Sequence, residues 1–413
     1  MNTLRTISEI IAILFFVCYF YQFLYIPFAL RRQKKRETSV REHRFAVLIC
    51  ARNESAVIGD LLDSIRAQSY PQHLITTFVM ADNCTDDTAG IAEKHGAIVY
   101  TRFNTHLVGK GYALDALLHN IQSDYPDCFD GYFVFDADNV LSPDYIRHMN
   151  ATFSQGYEIV TSYRNSKNYG DNWITSGYAL WFLRESQYLN RARMKLGTSC
   201  AVSGTGFLFS QATLDQMGGW PFYLLTEDIE FSVHHVLKDI CIGYCEEAEL
   251  FDEQPTSFRQ SWRQRTRWSK GYLQVFGRHG RDLIRGMLHG HFPSFDMGMI
   301  IMPAFVLSTL ECIVELVIFV LCVSRGMSLH GALLDLFALF AGMYLTLFFL
   351  GVLTTITEWN KIHTTAEKKI LAVFTFPLFM FTYLPIALCA LFAKAEWKPI
   401  EHKVPASVLN EVK

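Results

Sequence analysis

The chain has 413 residues, half of them hydrophobic, and a formal net charge of −3. A near-neutral charge gives no indication of nucleic acid binding. The ten cysteines show no paired Cys-x-x-Cys spacing, which argues against a disulfide framework or a zinc site and fits a reduced compartment.

Four apolar stretches are long enough to cross a hydrocarbon core of ~30 Å. They are Thr6–Leu30, Phe295–Val323, Gly331–Ile356 and Ile370–Ala393. The first is too long and aromatic for a signal peptide and lacks a small-residue cleavage site. Because "RRQKKR" (Arg31–Arg36) follows it directly, the positive-inside rule predicts that the block between the first and second spans lies in the cytoplasm. We expect a multi-pass protein of the cell membrane. Four crossings leave the tail outside, whereas its basic sequence "KAEWKPIEHK" is typical of the inside, so an incomplete crossing stays open.

Between the first and second spans, short β-rich runs alternate with helical patterns. The predicted strands are "RFAVLICA" (44–51), "ITTFVMAD" (75–82), "AIVYTR" (97–102) and "GYFVFDAD" (131–138). Strands that alternate with helices of about ten to fifteen residues predict a parallel sheet covered on both faces. Ligands of such sheets bind beyond the carboxyl ends of the strands. Glu54, Asp82 and Asp136 fall at those ends and are candidate binding residues.

The sequence "FDADN" places Asp136 and Asp138 two residues apart, so an extended backbone projects both carboxylates to one side. Such a pair suits Mg²⁺ or Mn²⁺, which completes its coordination with water and phosphate oxygens. The alternative is a strand that merely ends in polar turn residues. In "ADNCTDDT" we expect Asp86 and Asp87 to be structural, because Thr85 can cap a helix whose first turn favours acids.

The sequence "LLTEDIEF" places Glu227 and Asp228 directly after Thr226. Two interpretations stay open: an N-cap followed by first-turn acids, or a general base within reach of the proton that it removes. The preceding segment "VSGTGFLFS" (202–210) contains Gly204 and Gly206. These glycines either allow close backbone approach to a ligand or form an ordinary tight turn.

The stretch "SWRQRTRWSKGY" (261–272) combines basic and aromatic residues. A helix over Phe258–Phe276 would place Gln264, Arg267 and Trp268 on one face. An interfacial membrane helix explains the composition, because arginine snorkels and tryptophan favours the headgroup region. A guanidinium fork for phosphate beside a flat indole platform also explains why the three groups converge.

In this order, the motifs resemble the membrane-embedded family-two glycosyltransferases, such as cellulose, hyaluronan, chitooligosaccharide and poly-N-acetylglucosamine synthases. The motifs are Asp82, Asp136-x-Asp138, Thr226-Glu227-Asp228 and Gln264-x-x-Arg267-Trp268. The resemblance implies an α/β GT-A domain, Rossmann-like with a mostly parallel sheet, with one transmembrane helix before it and about three after it. It further implies an inverting, Mg²⁺- or Mn²⁺-dependent enzyme that polymerises a UDP-hexose, N-acetylglucosamine or glucose, into a β-linked polysaccharide and translocates it. The implied partners are the UDP-sugar donor, the growing polysaccharide and the lipid bilayer.

The resemblance also implies a role for each matched residue. Asp228, with Glu227 beside it, is implied to be catalytic, and Asp138, with Asp136, to bind the metal. Trp268 is implied to bind the acceptor. The implied donor-binding residues are Glu54, Asp82, Lys110, Asp136, Gln264 and Arg267. We expect Gly204 and Thr205 of the glycine-rich segment to contact the acceptor as well. The predicted regions are an N-terminal helix with its basic flank (1–36), the GT-A domain (37–254), interfacial helices (255–292), three transmembrane helices (293–395) and a tail (396–413).

Two other function classes are considered. The first is a single-transfer glycosyltransferase acting on a ceramide- or polyprenyl-type membrane lipid, which can share these motifs. The second is a non-enzymatic receptor or transporter, against which the retained carboxylates argue. Glu311 and Glu315 lie four residues apart inside the second span, so they share a helix face. They either line a polar path for a polysaccharide or form a structural pair bonded between helices.

Overall fold

The structure, a computed structural model, describes residues 2–31, 39–325 and 329–394. The strands are β1 (Phe45–Ala51), β2 (Ile75–Asp82), β3 (Ile98–Arg102), β4 (Gly131–Asp136), β5 (Val140–Leu141), β6 (Ile159–Ser166), β7 (Phe207–Ser210) and β8 (Ile242–Asp252). The helices before β8 are α1 (Asn2–Leu30), α2 (Ile58–Arg66), α3 (Thr88–Lys94), α4 (Lys110–Asp124), α5 (Tyr145–Phe153), α6 (Trp173–Arg184), α7 (Arg191–Leu196), α8 (Gln211–Met217) and α9 (Glu227–Val236). Those after it are α10 (Phe258–Leu288), α11 (Phe292–Ile301), α12 (Pro303–Ser324), α13 (Leu329–Thr357), α14 (Ala366–Phe381) and α15 (Tyr383–Phe392). A π-helical turn, Glu185–Asn190, joins α6 to α7.

The strands form one mixed sheet in the order β3-β2-β1-β4-β7-β6-β8-β5. β1 to β4 are parallel, β7 runs antiparallel to its neighbours β4 and β6, and β6 is parallel to β8. The predicted α/β fold with a mostly parallel sheet is therefore confirmed. Because β1, β2 and β4 share a direction, their carboxyl ends meet at one edge of the sheet.

Helices cover both faces of the sheet and bury two apolar cores. On one face, Leu48 of β1 and Val134 of β4 pack in the same core as Leu117 of α4. On the other face, Val47 and Ile49 of β1 pack in the same core as Leu61 of α2. Successive side chains of β1 thus pack alternately into the two cores, as expected for a strand that is buried on both faces.

Four helical segments are long and apolar enough to cross a membrane: Thr3–Leu30, Val306–Ser324, Leu336–Thr357 and Ala366–Phe392. The prediction of one continuous span from Phe295 is wrong, because the helix breaks at Met302 between α11 and α12. Pro303 follows the break, and proline disfavours helical geometry in the residue before it. Residues 32–36 of the basic flank and the tail from residue 395 lie outside the described residues, so the orientation stays a prediction.

A buried ion pair anchors α1 to α7 and α11. Asp296 of α11 and Arg193 of α7 have fully buried side chains, with 2.7 Å between Arg193 Nε and Asp296 Oδ2 and 2.9 Å between Nη2 and Oδ1. From α1, the hydroxyls of Tyr21 and Tyr25 donate to the same carboxylate at 2.7 and 3.0 Å. Three helices that are distant in sequence therefore share one charged centre.

Glu311 and Glu315 of α12 face α1. The Ser8 hydroxyl lies 2.9 Å from Glu311 Oε1 and 2.6 Å from Glu315 Oε1. Neither glutamate borders the catalytic cavity described below. These contacts favour the alternative interpretation, a structural pair bonded between two helices, over a polar path.

Candidate active site

The predicted carboxylates gather at the carboxyl edge of the sheet. Asp82 ends β2 and is 5% exposed, and its Oδ1 lies 2.5 Å from Arg102 Nη1, which fixes its position. Asp136 ends β4, and Asp138 follows in the turn, where it is buried. Parallel strand direction brings these residues together although they are more than fifty positions apart.

Lys110, the first residue of α4, links two of the predicted motifs. Its ammonium group donates to Asp136 Oδ1 and, at 2.8 Å, to the carbonyl oxygen of Gly204. Burial by itself lowers the pKa of Lys110, but the carboxylates of Asp136 and Glu227 outweigh this effect and leave that pKa raised. Lys110 therefore stays charged between the strand-end aspartates and the glycine-rich segment.

Asp136 and Asp138 are the residues that would hold a divalent cation. Asp138 accepts bonds from Asn139 Nδ2 at 3.2 Å and from the backbone N–H of Glu253 at 3.1 Å, which orient its carboxylate. The described residues contain no cluster of three or more metal-binding side chains. The donor set fits a hard cation that takes its remaining ligands from phosphate and water.

Gly204 and Gly206 adopt left-handed φ angles of 80° and 68°, which favour glycine. A Cβ on Gly204 would stand 3.8 Å from Asp228 Oδ2, so this backbone forms a wall beside the predicted base. Thr205 differs from the expectation. Its buried hydroxyl bonds to Asn139 Oδ1 and accepts from the backbone N–H of Asp136 at 2.9 Å, and it does not border the cavity. Its expected acceptor contact is therefore wrong: Thr205 supports the end of β4.

Glu227 and Asp228 form the first turn of α9. Burial, followed by the charge of Asp228, raises the pKa of Glu227 to about 7. Burial also raises the pKa of Asp228, although the charges of Lys110 and Arg267 oppose the shift. The Thr226 hydroxyl makes no capping bond, so the interpretation of this motif as a plain helix cap lacks its main contact.

Helix α10 brings the last motif to the same place. Gln264, Arg267 and Trp268 all border the cavity, and Arg267 Nη1 lies 3.5 Å from the carbonyl oxygen of Leu225, next to the α9 motif. Gln264 Oε1 is buried without a hydrogen-bond partner among the described residues. The Trp268 indole meets Tyr178 and Phe182 edge-on, with ring centroids 5.8 and 6.2 Å apart. The convergence predicted from helical spacing is therefore present.

Helix α10 also packs on the C-terminal apolar helices. Arg265 is fully buried, and its guanidinium donates to Phe379 O at 3.3 Å and to Thr382 Oγ1 at 2.7 Å, where α14 ends. Helix C-termini attract cations, which helps to stabilise this charge. By contrast, Arg259 and Arg263 are exposed. The basic row of α10 thus divides into exposed, anchoring and cavity-facing residues.

A cavity of about 800 Å³ joins these parts, and every predicted site residue except Thr205 borders it. Its far wall is made by helices that are long and apolar enough to cross a membrane. The apolar residues there include Phe15, Phe23 and Ile26 of α1, Leu339, Met343, Leu347 and Leu350 of α13, and Leu384 of α15. One end of the cavity therefore carries charge, and the other resembles a hydrocarbon environment.

Sequence reasoning missed several residues of this cavity. Arg164 of β6 donates through Nε to Asp252 at 2.7 Å and through Nη1 to Ser203 O at 2.9 Å, and Glu185 lies in the π-helical turn. No local motif marks either residue. Tyr272 also borders the cavity, and its position four residues after Trp268 places it on the same helix face.

Two curated relatives are similar in sequence to this chain. A β-monoglucosyldiacylglycerol synthase of Nostoc sp. is 27% identical over 299 residues, which cover 69% of this chain and 60% of the relative. A poly-β-1,6-N-acetyl-D-glucosamine synthase of Staphylococcus epidermidis is 27% identical over 238 residues, 55% of this chain and 54% of that relative. The chain thus spans less than two thirds of the length of these curated relatives.

Among solved structures, the mannosyltransferase PcManGT of Pyrobaculum calidifontis, in complex with GDP-Man and Mn²⁺, shares the fold. The TM-score is 0.60 at 15% identity, and the match covers 94% of this chain and 98% of that one. The family model described as "Glycosyltransferase like family 2" matches residues 43–271, which is more than half of the chain. The chain therefore belongs to the family-two glycosyltransferases.

Proposed function

We propose that the protein transfers a hexose from a UDP-sugar, with inversion, to a hydroxyl group of a membrane-embedded lipid. The observation that carries this proposal is the two-ended cavity. Its charged end suits a nucleoside diphosphate, and its apolar end lies among helices that are able to cross a membrane. A lipid acceptor can place its headgroup at the carboxylates while its chains stay among apolar side chains.

In this proposal the strand ends bind the donor. Asp82 and Glu54 contact the nucleoside, and Lys110, Gln264 and Arg267 face the diphosphate. Arg267 suits this role because a guanidinium binds phosphate through two parallel hydrogen bonds. Asp136 and Asp138 would hold Mg²⁺ or Mn²⁺, which supplies positive charge for the departing diphosphate.

Asp228 acts as the general base. It removes the proton from the acceptor hydroxyl while the oxygen attacks the anomeric carbon, the bond to UDP breaks, and the diphosphate leaves with the electron pair. A single base without a covalent nucleophile implies inversion, so an α-linked donor gives a β-linked product. The charges of Lys110 and Arg267 lower the pKa of both Glu227 and Asp228 and so oppose the effect of burial.

The acceptor half of the proposal rests on Trp268 and the membrane helices. The indole is held by Tyr178 and Phe182 between the two ends of the cavity, where a flat apolar surface suits a sugar ring or the base of a headgroup. Beyond it, the wall is mostly hydrocarbon. A polysaccharide would need polar partners along that route, because its hydroxyls lose hydrogen bonds in an apolar environment.

A processive synthase is the second candidate. The convergence of Gln264, Arg267 and Trp268, together with the poly-β-1,6-N-acetyl-D-glucosamine synthase among the relatives, favours it. We also propose the arrangement predicted from the sequence, with the catalytic domain on the cytoplasmic face of the cell membrane and the five regions given above. Both candidates use the same donor chemistry and differ only in the acceptor.

The test is to incubate the purified full-length protein with UDP-glucose or UDP-N-acetylglucosamine and Mn²⁺ in phosphatidylcholine vesicles that contain diacylglycerol, ceramide or a glycolipid. We expect an organic-soluble product that is one hexose heavier than its acceptor by mass spectrometry. Asp228→Asn is the matched control and should give no product. A high-molecular-weight polymer made from the donor alone would favour the processive synthase and contradict the lipid proposal.

A further inference from the structure

Glu185 is a carboxylate of the cavity to which the proposed reaction gives no role. It begins the π-helical turn between α6 and α7, and it borders the cavity. Single π-helical turns are rare and often occur at functional sites, because the extra residue re-aims the side chains that follow an otherwise regular helix. The π-helical turn therefore indicates a functional role for Glu185 independently of the sequence motifs.

The Glu185 carboxylate forms no hydrogen bond or ion pair with the part of the chain that the structure describes. Three arginines act on it electrostatically, namely Arg193, Arg164 and Arg184. Each of them is bonded elsewhere: Arg193 to Asp296, Arg164 to Asp252, and Arg184 to Gln22 Oε1 at 2.6 Å. The carboxylate is thus surrounded by positive charge and still has its acceptor positions to offer to a ligand.

Glu185, Asp228 and Tyr272 all border the same cavity. The charge of Asp228 acts on Glu185, and both carboxylates raise the pKa of the Tyr272 phenol, after burial as the first cause. Burial also raises the pKa of Glu185 itself, although the three arginines oppose it. Glu185, Asp228 and Tyr272 therefore face one chamber from three different elements.

Two buried hydroxyls in the walls of the same cavity also lack partners. Thr226 Oγ1 and Ser269 Oγ have no hydrogen-bond partner among the described residues, although both side chains are 4% exposed and border the cavity. A buried polar atom without a partner is costly, so a ligand that supplies hydrogen bonds would be stabilised here. A hydroxyl can both donate and accept a hydrogen bond, whereas an ionised phosphate only accepts and has no proton to donate to the Glu185 carboxylate.

We propose that Glu185 binds the acceptor by accepting a hydrogen bond from a hydroxyl next to the one that Asp228 deprotonates. The acceptor is then a neutral headgroup with at least two neighbouring hydroxyls, such as a polyol or a sugar, and not a lipid phosphate. This inference rests on the proposed function and specifies its acceptor. Glu185 is an acceptor-binding residue, and the proton transfer remains with Asp228.

The experiment compares three acceptors in phosphatidylcholine vesicles: 1-monooleoylglycerol, which has two neighbouring hydroxyls, 1,2-dioleoylglycerol, which has one, and undecaprenyl phosphate. We expect the wild type to prefer monooleoylglycerol, and Glu185→Gln to lower kcat/KM for it by about tenfold or more, as loss of a hydrogen bond to a charged group predicts. The loss with dioleoylglycerol should be smaller, because that acceptor has no second hydroxyl for Glu185 to bind, whereas the affinity for UDP should not change. Glu185→Asp should restore part of the preference, and Glu93→Gln, on an exposed residue of α3, is the matched control.

Several outcomes would overturn the assignment. If Glu185→Gln lowers kcat/KM equally for both glycerolipids, the effect is structural. If Glu185→Gln is as active as the wild type with monooleoylglycerol, Glu185 does not contact the acceptor. If the wild type prefers undecaprenyl phosphate, the proposed headgroup class is wrong. If the wild type instead builds a polymer from the donor alone, the proposal of a lipid acceptor fails, but the proposed role of Glu185 can still be tested. The growing sugar end carries neighbouring hydroxyls, so Glu185→Gln should then slow elongation without slowing UDP-sugar hydrolysis, and unchanged elongation would refute its role.

Discussion

Replacing Asp296 by asparagine tests whether a buried charge holds α1 to the catalytic half of the protein. The carboxylate receives two bonds from Arg193 and one each from Tyr21 and Tyr25, and both charged side chains are fully buried. Asparagine keeps the shape but removes the negative charge, so the Arg193 guanidinium is left buried without its counter-ion. Removal of one partner of such a pair destabilises proteins by about 3–5 kcal/mol.

The expected loss is large enough to measure by thermal unfolding of the detergent-solubilised protein. A change of 1 kcal/mol shifts Tm by about 2–4 °C in a domain of 150–250 residues, so a loss on the order of 10 °C is expected. Tyr21→Phe should cost less, about 1.5–3 kcal/mol, because it removes one bond to a charged group. Asp282→Asn, on an exposed residue of α10, is the matched control.

The double variant Arg193→Met with Asp296→Leu separates the charge effect from packing. Removal of both charges abolishes the desolvation cost of each, so the double variant should be more stable than Asp296→Asn alone. A single variant that unfolds within about 1 °C of the wild type would show that the pair is solvated or weakly coupled. A double variant less stable than the single one would refute the reasoning from unpaired charge.

The remaining predictions concern catalysis and are read from steady-state transfer and UDP binding. Asp228→Asn should abolish transfer and leave UDP affinity intact, and near-normal turnover would remove Asp228 as the base. Burial raises the pKa of Asp228, and only the ionised carboxylate can act as a base. Wild-type kcat/KM should therefore be maximal above this pKa and should fall on acidification, at a pH higher than the ordinary aspartate pKa of about 3.9. A fall in kcat/KM only at or below a pH of about 3.9 would contradict the burial argument. Asp138→Ala should weaken UDP binding only in the presence of Mn²⁺, so equal affinities with and without the ion would exclude it as a metal ligand. Arg267→Lys should lose at least tenfold in kcat/KM, since an ammonium group cannot form the bidentate contact, whereas Arg263→Lys on the exposed face should behave as wild type.

The strands and their polar ends were predictable because both depend on short-range patterns. β2 occupies the predicted residues, and β1 begins one residue later than expected. Strand direction then fixes which side chains meet, so Asp82 and Asp136 could be brought together without knowledge of any contact. The face of α10 that carries Gln264, Arg267 and Trp268 was predictable for the same reason, because helical spacing is local.

The failures involve partners that are distant in sequence. The sequence pattern marks Glu311 and Glu315 as a pair, but it does not show that Ser8, some three hundred residues earlier, bonds to both. Thr205 lies beside a glycine that does face the cavity, yet its own hydroxyl turns to Asn139. The expected Thr85 cap is also wrong, because Thr85 bonds to Asn53, and Asp86 accepts from the backbone N–H of Thr88 at 3.1 Å.

No single stretch of the sequence contains a motif that predicts the acceptor end of the cavity. Its walls combine α1, the π-helical turn, α10, α13 and α15, so no motif scan of a single stretch would assemble it. The chemistry of the two ends nevertheless limits the reaction. A diphosphate needs the charged edge of the sheet, and an apolar wall beyond Trp268 stabilises hydrocarbon chains more readily than a chain of sugars. The glutamates of α12 are bonded to Ser8 and absent from the cavity wall, and the polar side chains that α1, α12 and α13 present there, Tyr19, Gln22, Ser308 and Thr346, are outnumbered by apolar ones. That imbalance, more than any motif, favours a lipid that presents its hydroxyls to Asp228 and Glu185.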